Sequence, residues 1–369
     1  MKLYEYLAKE IFSKNGLPVP GGYLCRTPAE AARAAGELGA VAIKAQVLAG
    51  GRGKAGGIAF AATPEEAEKA AARLLGSAIR GYPVTRVLVE EKLDIQGELY
   101  LGFTVDTSAR RPVALASRRG GVNIEEVPPE ELVSYLIDPL WGFNRYNALY
   151  LGLKLGLKEE LLKEFISLAL KLYQIFLNYD AELVEINPVA IVEGRLIAAD
   201  ARLNIDDDAL YRHPDIQVVD EGSELEKAIK ALGLAYVQLD GDIAVMANGA
   251  GITMATLDIL EKFGGRAANF LDAGGGAGAE PMAKALELLL DTGPRAVLIN
   301  IFGGITRCDE VARALIQVKE KRGLVTPIIL RLVGTNEEEA YQQLQAHGIK
   351  AFRGMQEAVA AVVAAATSA

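Results

Sequence analysis

Ala49-Gly-Gly-Arg-Gly-Lys-Ala-Gly-Gly57 packs five glycines and two cations, Arg52 and Lys54, into nine residues. Gly51, Gly53 and Gly56 fit the dinucleotide spacing G-x-G-x-x-G, which has meaning only when a helix follows at once. Here Gly57-Ile-Ala-Phe60 continues as an apolar strand, so the dinucleotide reading is rejected. A Walker loop is rejected too, because Ala55 follows Lys54 where a magnesium-holding Ser or Thr is needed. The preceding run Val41–Val47 also reads as a strand. What remains is a strand–glycine loop–strand hairpin that can fold as a flap over phosphates. A mobile surface loop is the bland alternative, but it does not account for two cations among backbone N–H groups free to cradle an anion.

Working outward, Lys44 lies in the apolar strand Ala42-Ile-Lys-Ala-Gln46. A lysine there is costly to bury without an anionic partner. It either faces water on an edge strand or contacts a phosphate, and its place beside the loop favours the second. Glu90, Glu91 and Glu98 bracket a connection between two strands, where carboxylates can serve a ribose or adenine amino group or merely form a solvated turn. Further on, Glu185-Ile-Asn187-Pro188 and Asp200 sit at the ends of neighbouring strands. An amide oxygen and a carboxylate brought to one end are hard ligands suited to Mg²⁺ beside a triphosphate. Asn-Pro is also an ordinary turn pair.

The first half mixes helices with antiparallel strands in α+β fashion. Thr27-Pro28 and Thr63-Pro64 open helices as N-cap and first helical residue. Residues 2–15, Glu130–Leu136 and Lys158–Asn178 are expected helices. Arg86–Glu91 and Glu98–Asp106 are expected strands, paired with one another. Ala181–Ile186, Ala190–Val192 and Leu196–Ala199 are expected as three further strands. Near residue 240 the pattern changes to strand, glycine-rich loop and helix, repeated five times. The strands are Asp242–Met246, Ala267–Leu271, Arg295–Ile301, Pro327–Leu332 and Ala351–Phe352. That grammar predicts a doubly wound parallel α/β sheet with its loops at the carboxyl edge. The boundary falls in the polar segment Asp215–Glu226.

At 369 residues the chain has room for two or three domains, and 51% hydrophobic residues are enough for full cores. A net charge of −9 argues against a nucleic-acid partner, which needs a clustered basic surface. The start lacks a signal-peptide apolar run, and the Ala/Val-rich tail is too short to span a bilayer. No membrane association is expected. Two distant cysteines, Cys25 and Cys308, fit a cytoplasmic location better than a disulfide framework. Only His213 and His347 are available for histidine chemistry, and neither sits in a glycine loop.

Six motifs occur in order: Leu48–Gly57, Glu98-Leu-Tyr-Leu-Gly102, Glu185-Ile-Asn-Pro188, Asn248-Gly-Ala-Gly251, Asn269-Phe-Leu-Asp-Ala-Gly-Gly-Gly276 and Asn300-Ile-Phe-Gly-Gly-Ile-Thr-Arg-Cys-Asp309. Together they resemble the β subunits of succinate–CoA ligase (succinyl-CoA synthetase), nearly end to end. The resemblance implies an N-terminal ATP-grasp nucleotide-binding domain over 1–225, with a lid-like subdomain at about 20–93. A flavodoxin-like CoA-ligase domain over 238–369 would follow.

The reaction implied is succinate + CoA + NTP ⇌ succinyl-CoA + NDP + phosphate, a step of the tricarboxylic acid cycle. The co-substrate is ATP or GTP with Mg²⁺. Phosphate passes through a phosphohistidine on a partner α subunit that also carries most of the CoA site. Lys44, Gly51, Arg52, Gly53, Glu90, Leu93 and Glu98 would hold the nucleotide, and Asn187 and Asp200 the Mg²⁺. Glu185 would orient the phosphohistidine. Asn248, Gly304, Ile305 and Thr306 would bind succinate. A partner-borne histidine also resolves the shortage of histidines here. Thr306 stands where the resemblance leads one to expect Val, and Arg202 where it suggests Lys. A hydroxyl at 306 opens the acid site to a hydroxylated acid. Malate–CoA ligase and citryl-CoA synthetase are therefore the nearest rivals. A non-catalytic nucleotide- or CoA-binding module is disfavoured by the intact Lys44, Arg52, Asn187 and Asp200. An ATP-grasp carboxylase leaves the second half unexplained.

Overall fold

The helix starts follow the local chemistry of the sequence. Thr27 Oγ1 accepts the Glu30 amide at 3.2 Å and Thr63 Oγ1 that of Glu66 at 3.3 Å, each with proline just inside the helix. The computed structural model describes all residues except 218, 220, 221, 277, 324 and 369. It divides into two compact units, Met1–Asp220 and Glu221–Ala369. The sequence-based boundary at 215–226 includes residues 218, 220 and 221, which lie outside the described residues.

The first unit begins with α1 (Glu5–Lys14), β1 (Gly22–Cys25), α2 (Pro28–Leu38), β2 (Val41–Ala45), β3 (Ile58–Ala61) and α3 (Pro64–Leu74). A short hairpin of β4 (Ala78–Ile79) and β5 (Tyr82–Pro83) precedes β6 (Val87–Glu91). An antiparallel sheet in the order β1-β6-β2-β3 packs on α2 and α3 through small residues such as Ala31, Ala35, Ala67 and Ala71. The β2–β3 hairpin carries the glycine loop, with Lys44 opposite Ile58, as the sequence predicts.

Next come β7 (Gly97–Asp106), β8 (Arg111–Ser117), β9 (Leu132–Leu136), α4 (Arg145–Lys154), α5 (Glu159–Asn178), β10 (Ala181–Val192), β11 (Arg195–Ala198) and β12 (Arg202–Ile205). They form an antiparallel sheet ordered β11-β10-β7-β8-β9, with β12 also on β10. Phe165, Leu168, Ala169, Leu172, Ile175 and Phe176 give α5 a helical-period stripe buried on this sheet. Each of the large side chains in it contributes about 1.5–3 kcal/mol by leaving water.

Three expectations are corrected. The strands β6 and β7 are not partners, because the connection between them passes from one sheet to the other. Residues 132–136 are a strand rather than a helix: Leu132-Val-Ser-Tyr-Leu136 pairs along β8, and only residues 129–131 make a 3₁₀ turn. The segments 181–186 and 190–192 form one strand whose register against β7 shifts between Ile186 and Val189, around a cis Asn187–Pro188 peptide.

The second unit contains α6 (Glu224–Lys230), β13 (Ala235–Gln238), β14 (Ile243–Ala247), α7 (Ala250–Lys262), β15 (Asn269–Asp272), α8 (Ala279–Asp291) and β16 (Ala296–Gly303). It ends with α9 (Cys308–Arg322), β17 (Ile328–Gly334), α10 (Glu337–Ala346), β18 (Ala351–Phe352) and α11 (Met355–Ser368). Strand order is β13-β15-β14-β16-β17-β18. Omitting the antiparallel edge strand β13, the five parallel strands run 2-1-3-4-5, the flavodoxin-like order. Alternate residues divide between two cores. Ala244, Met246, Val297 and Ile299 meet α8 and α9, while Ile243, Val245, Ala296 and Leu298 meet α7 and α11. That period of two explains why strands buried on both faces read as continuous apolar runs.

Candidate functional site

The glycine hairpin turns its two cations in opposite directions. Within the loop, Gly57 N donates to Arg52 O at 2.8 Å and Ala55 N to Gly51 O at 3.3 Å. Gly51 needs its freedom, having φ +67° and an Arg80 guanidinium nitrogen 3.0 Å from where a Cβ would stand. Lys54 points outward to Glu126 at 3.1 Å, both exposed. Arg52 points inward. Its Nη1 lies 2.8 Å from Glu5 Oε2 and its Nη2 2.9 Å from Asp200 Oδ1.

Lys44 is buried in a strand with neighbours on both sides, so the edge-strand alternative fails. Its Nζ is 3.0 Å from Glu5 Oε1, 2.8 Å from Glu90 Oε2 and 2.5 Å from the Ala199 carbonyl. Lys9, one turn along α1 from Glu5, lies 2.9 Å from Glu5 Oε1 and 2.5 Å from Glu90 Oε1, and donates to Ala199 O at 2.9 Å. Three carboxylates (Glu5, Glu90, Asp200) thus face three cations (Lys9, Lys44, Arg52), and the formal charges cancel.

Burial alone would raise the Glu5 carboxyl, but Arg52, Lys44 and Lys9 outweigh it and hold it well below the usual range. Burial likewise opposes the Lys44 and Arg52 cations, yet Glu5, with Glu90 or Asp200, holds both above their ordinary values. Lys9 is lowered by burial. Asp200 is raised, by burial first and by Glu5 second. Glu90 is clamped between two ammonium groups rather than presented to solvent, while Leu93 lies half-buried in the coil that links the two sheets.

A second group gathers where β10, β7 and β11 meet. Val189 pairs with Ala198, and Ala199 N donates to Pro188 O at 3.1 Å. One step further this register sets Asn187 opposite Asp200, as the sequence anticipates. Asn187 is held by a loop that the sequence reading misses: Gly121 N donates to its Oδ1 at 2.7 Å and its Nδ2 donates to Val122 O at 2.8 Å. Gly121 has φ +70°, and a Cβ there would stand 2.6 Å from Glu98 Oε2. Glu98, raised by burial, lines a pocket of ≈ 410 Å³ with Arg118, Gly156, Lys158 and Ile191. Asp200 Oδ1 takes Arg52 and the Ala201 amide, and among the described residues Oδ2 takes no hydrogen bond. Glu185 is gripped by the Tyr100 hydroxyl at 2.9 Å and by Arg202 at 3.3 Å. The described residues contain no cluster of three or more His, Cys, Asp or Glu arranged to hold a metal.

In the second unit the glycine loops gather at the carboxyl ends of β14, β15 and β16. Asn248 locks onto Phe302, accepting its amide at 2.8 Å and donating to its carbonyl at 2.9 Å. Thr306 is 1% exposed, and its hydroxyl accepts the Gly276 amide at 3.1 Å beside Asn248 and Gly274 O. That hydroxyl therefore ties three loops together. Gly304 is open: apart from its own chain neighbours, no described atom lies within 4 Å of where a Cβ would stand, and Ile305 is 81% exposed. His213 pairs with Asp180 at 2.8 Å and stacks on Tyr179, and His347 sits exposed at the end of α10. Both cysteines are buried free thiols. No helix of the described residues is long and apolar enough to cross a membrane.

An ATP-grasp domain family model matches residues 2–191, and a CoA-ligase model matches 246–366. The chain is 47% identical over 367 residues to the ADP-forming succinate–CoA ligase subunit beta of Staphylothermus marinus, covering 97% of each chain. It is 48% identical to that of Rubrobacter xylanophilus, over 93% of this chain and 92% of that one. Against that of Roseiflexus sp. identity is 44%, with all of both chains covered. A structure of ATP citrate lyase from Methanothrix soehngenii, in complex with citrate and coenzyme A, superposes with a TM-score of 0.78. At 19% identity over 98% of this chain and 99% of that one, it shows a shared fold. The chain belongs to the family of succinate–CoA ligase β subunits.

Proposed function

We propose that this chain is the nucleotide-binding subunit of a cytoplasmic succinate–CoA ligase. The reaction is succinate + CoA + ATP ⇌ succinyl-CoA + ADP + phosphate, in the tricarboxylic acid cycle, with a phosphohistidine on a partner α subunit as the carrier. The observation that carries the reading is the convergence of Lys44 and Arg52 beneath the glycine hairpin. Phosphoryl transfer needs positioning and charge neutralisation more than covalent chemistry, and buried cations behind a backbone-rich loop are suited to that.

Residues 1–225 act as the nucleotide domain, with the sheet of β1, β6, β2 and β3 as its lid-like part within about 20–93. Residues 238–369 act as the CoA-ligase domain. Gly51 and Gly53 bring backbone N–H groups to the phosphates, and Glu90, Leu93 and Glu98 line the nucleotide's path. Asn187 and Asp200 fit Mg²⁺. Both are hard oxygen donors set opposite one another, and among the described residues nothing donates to Asp200 Oδ2. Two protein ligands suit an ion that completes its shell with phosphate oxygens and water. That ion would neutralise charge on the phosphates when bound.

Glu185, fixed by Tyr100 and Arg202, orients the incoming phosphohistidine. Asn248 and Gly304–Thr306 shape the acid site, where the open backbone of Gly304 faces a carboxylate. The rival acids, malate and citrate, gain no support from Thr306, because its hydroxyl is already engaged. The purified chain alone is expected to bind Mg·ATP in calorimetry yet form no succinyl-CoA until the α subunit is added. Turnover by the single chain would refute the division of labour.

A further inference from the structure

Helix α1 carries a buried Glu5–Lys9 pair that no part of the reaction above uses. We propose that the two are positioning residues for the nucleotide phosphates: Glu5 occupies the place on Lys44 and Arg52 that a phosphate takes, and Lys9 retains Glu5 when the phosphate arrives. The inference rests on the reading of Lys44 and Arg52 as the phosphate grip.

An ammonium has three N–H groups. Around Lys44 Nζ stand three oxygens, from Glu5, Glu90 and Ala199, at 3.0, 2.8 and 2.5 Å. Lys44 Nζ donates hydrogen bonds to Glu5 and Ala199 and is ion-paired with Glu90, so a phosphate competes with these oxygens for it. Ala199 O is backbone and also accepts from Lys9. Glu90 touches Lys44 and Lys9, so its departure frees no guanidinium. Glu5 alone among the described residues bridges both phosphate cations, Oε1 to Lys44 and Oε2 to Arg52, so one displacement releases both. Glu5 is also the carboxylate best provided for after it leaves. Lys9 lies 2.9 Å away one helical turn on, and the Gln46 amide donates to Oε2 at 3.3 Å.

The positions themselves are unusual. Glu5 and Lys9 share the buried face of α1 with Ala8, Ile11 and Phe12, where apolar side chains belong. An isolated charge there would be expelled or neutralised, whereas a cluster with balanced charges holds Lys44 and Arg52 inward, aimed and desolvated, before nucleotide binds. The exchange trades one anion for another on the same two cations.

The test uses the full-length chain with Mg²⁺-free ADP, inorganic tripolyphosphate and adenosine in calorimetry. Glu5→Gln keeps the shape but removes the competing charge. ADP and tripolyphosphate are expected to bind about tenfold more tightly, with adenosine unchanged. Lys9→Met strands Glu5 on Lys44 and Arg52 and should weaken both phosphate ligands about tenfold, and the double variant should return near wild type. A merely structural role predicts instead that Glu5→Gln weakens all three ligands or changes none, and either result overturns the proposal. Should Glu5→Gln fail to fold by circular dichroism, Glu5→Asp, which retracts the carboxylate, must tighten tripolyphosphate binding or the proposal falls. Lys44→Met and Arg52→Met separate the two levels. If neither affects tripolyphosphate, the phosphate-grip reading itself is wrong. If both weaken it while Glu5→Gln does not tighten it, only the role of Glu5 is.

Discussion

Replacing Lys44 with methionine tests the proposed nucleotide site at a buried cation. The ammonium lies 3.0 Å from Glu5 and 2.8 Å from Glu90. Removing one member of a buried ion pair ordinarily costs about 3–5 kcal/mol, because the survivor is left uncompensated. Here no carboxylate is orphaned. Lys9 remains 2.9 Å from Glu5 and 2.5 Å from Glu90, and Arg52 remains 2.8 Å from Glu5. The expected loss is therefore about 1–3 kcal/mol, with a melting shift of several degrees. The chain should still fold and assemble. Nucleotide affinity should suffer more in proportion, since a lost charge-assisted contact of about 1.5–3 kcal/mol weakens binding roughly 10- to 150-fold. Calorimetric titration with Mg·ATP, beside a thermal melt of the unliganded variant, measures both. Unchanged affinity, or a melting shift with no loss of affinity, would show that Lys44 is a structural cation and refute the assignment.

Thr306→Val should lower stability by about 1–2 kcal/mol, because the Gly276 amide loses its acceptor, while the ratio of succinate to malate turnover stays as it is. A change in that ratio would place the hydroxyl in the acid site after all. Asp309, gripped by Arg307, then by Asn336 and Arg313, has its carboxyl held down at about 2. A depressed carboxyl stabilises the fold above its unfolded pKa and loses that contribution as pH falls from about 4 toward 2. Melting curves across that window should converge for wild type and Asp309→Asn, and parallel curves would contradict the assigned grip.

What the sequence makes legible depends on range. The β2–β3 hairpin is readable because the glycines and the strand that follows them are neighbours in sequence. The second unit is readable because each strand, loop and helix repeats a local pattern, and its strand order follows the flavodoxin-like rule. The expected pairing of β6 with β7 fails because two apolar runs joined by a short connection look like a hairpin, and nothing local reveals that each joins a different sheet. The expected helix at residues 132–136 fails for a similar reason, since their pairing with β8 is not visible in five residues. The buried charge cluster is half legible. Lys44, Arg52, Glu90 and Asp200 stand out, but Glu5 and Lys9 have the i,i+4 spacing of an ordinary surface pair. The further partners of Lys9, Glu90 and Ala199, lie 81 and 190 residues away in sequence. The Gly120-Gly121-Val122 loop that holds Asn187 leaves no signal beyond a glycine pair.

The most direct measurement is ADP release by this chain reconstituted with an α subunit, with succinate, malate and citrate supplied in turn beside CoA and Mg·ATP. Succinate should support CoA-dependent ADP release well above the other two acids, and the α subunit should carry acid-labile phosphohistidine when ATP is given alone. Preference for malate or citrate, or turnover with no phosphorylated α subunit, would contradict the account.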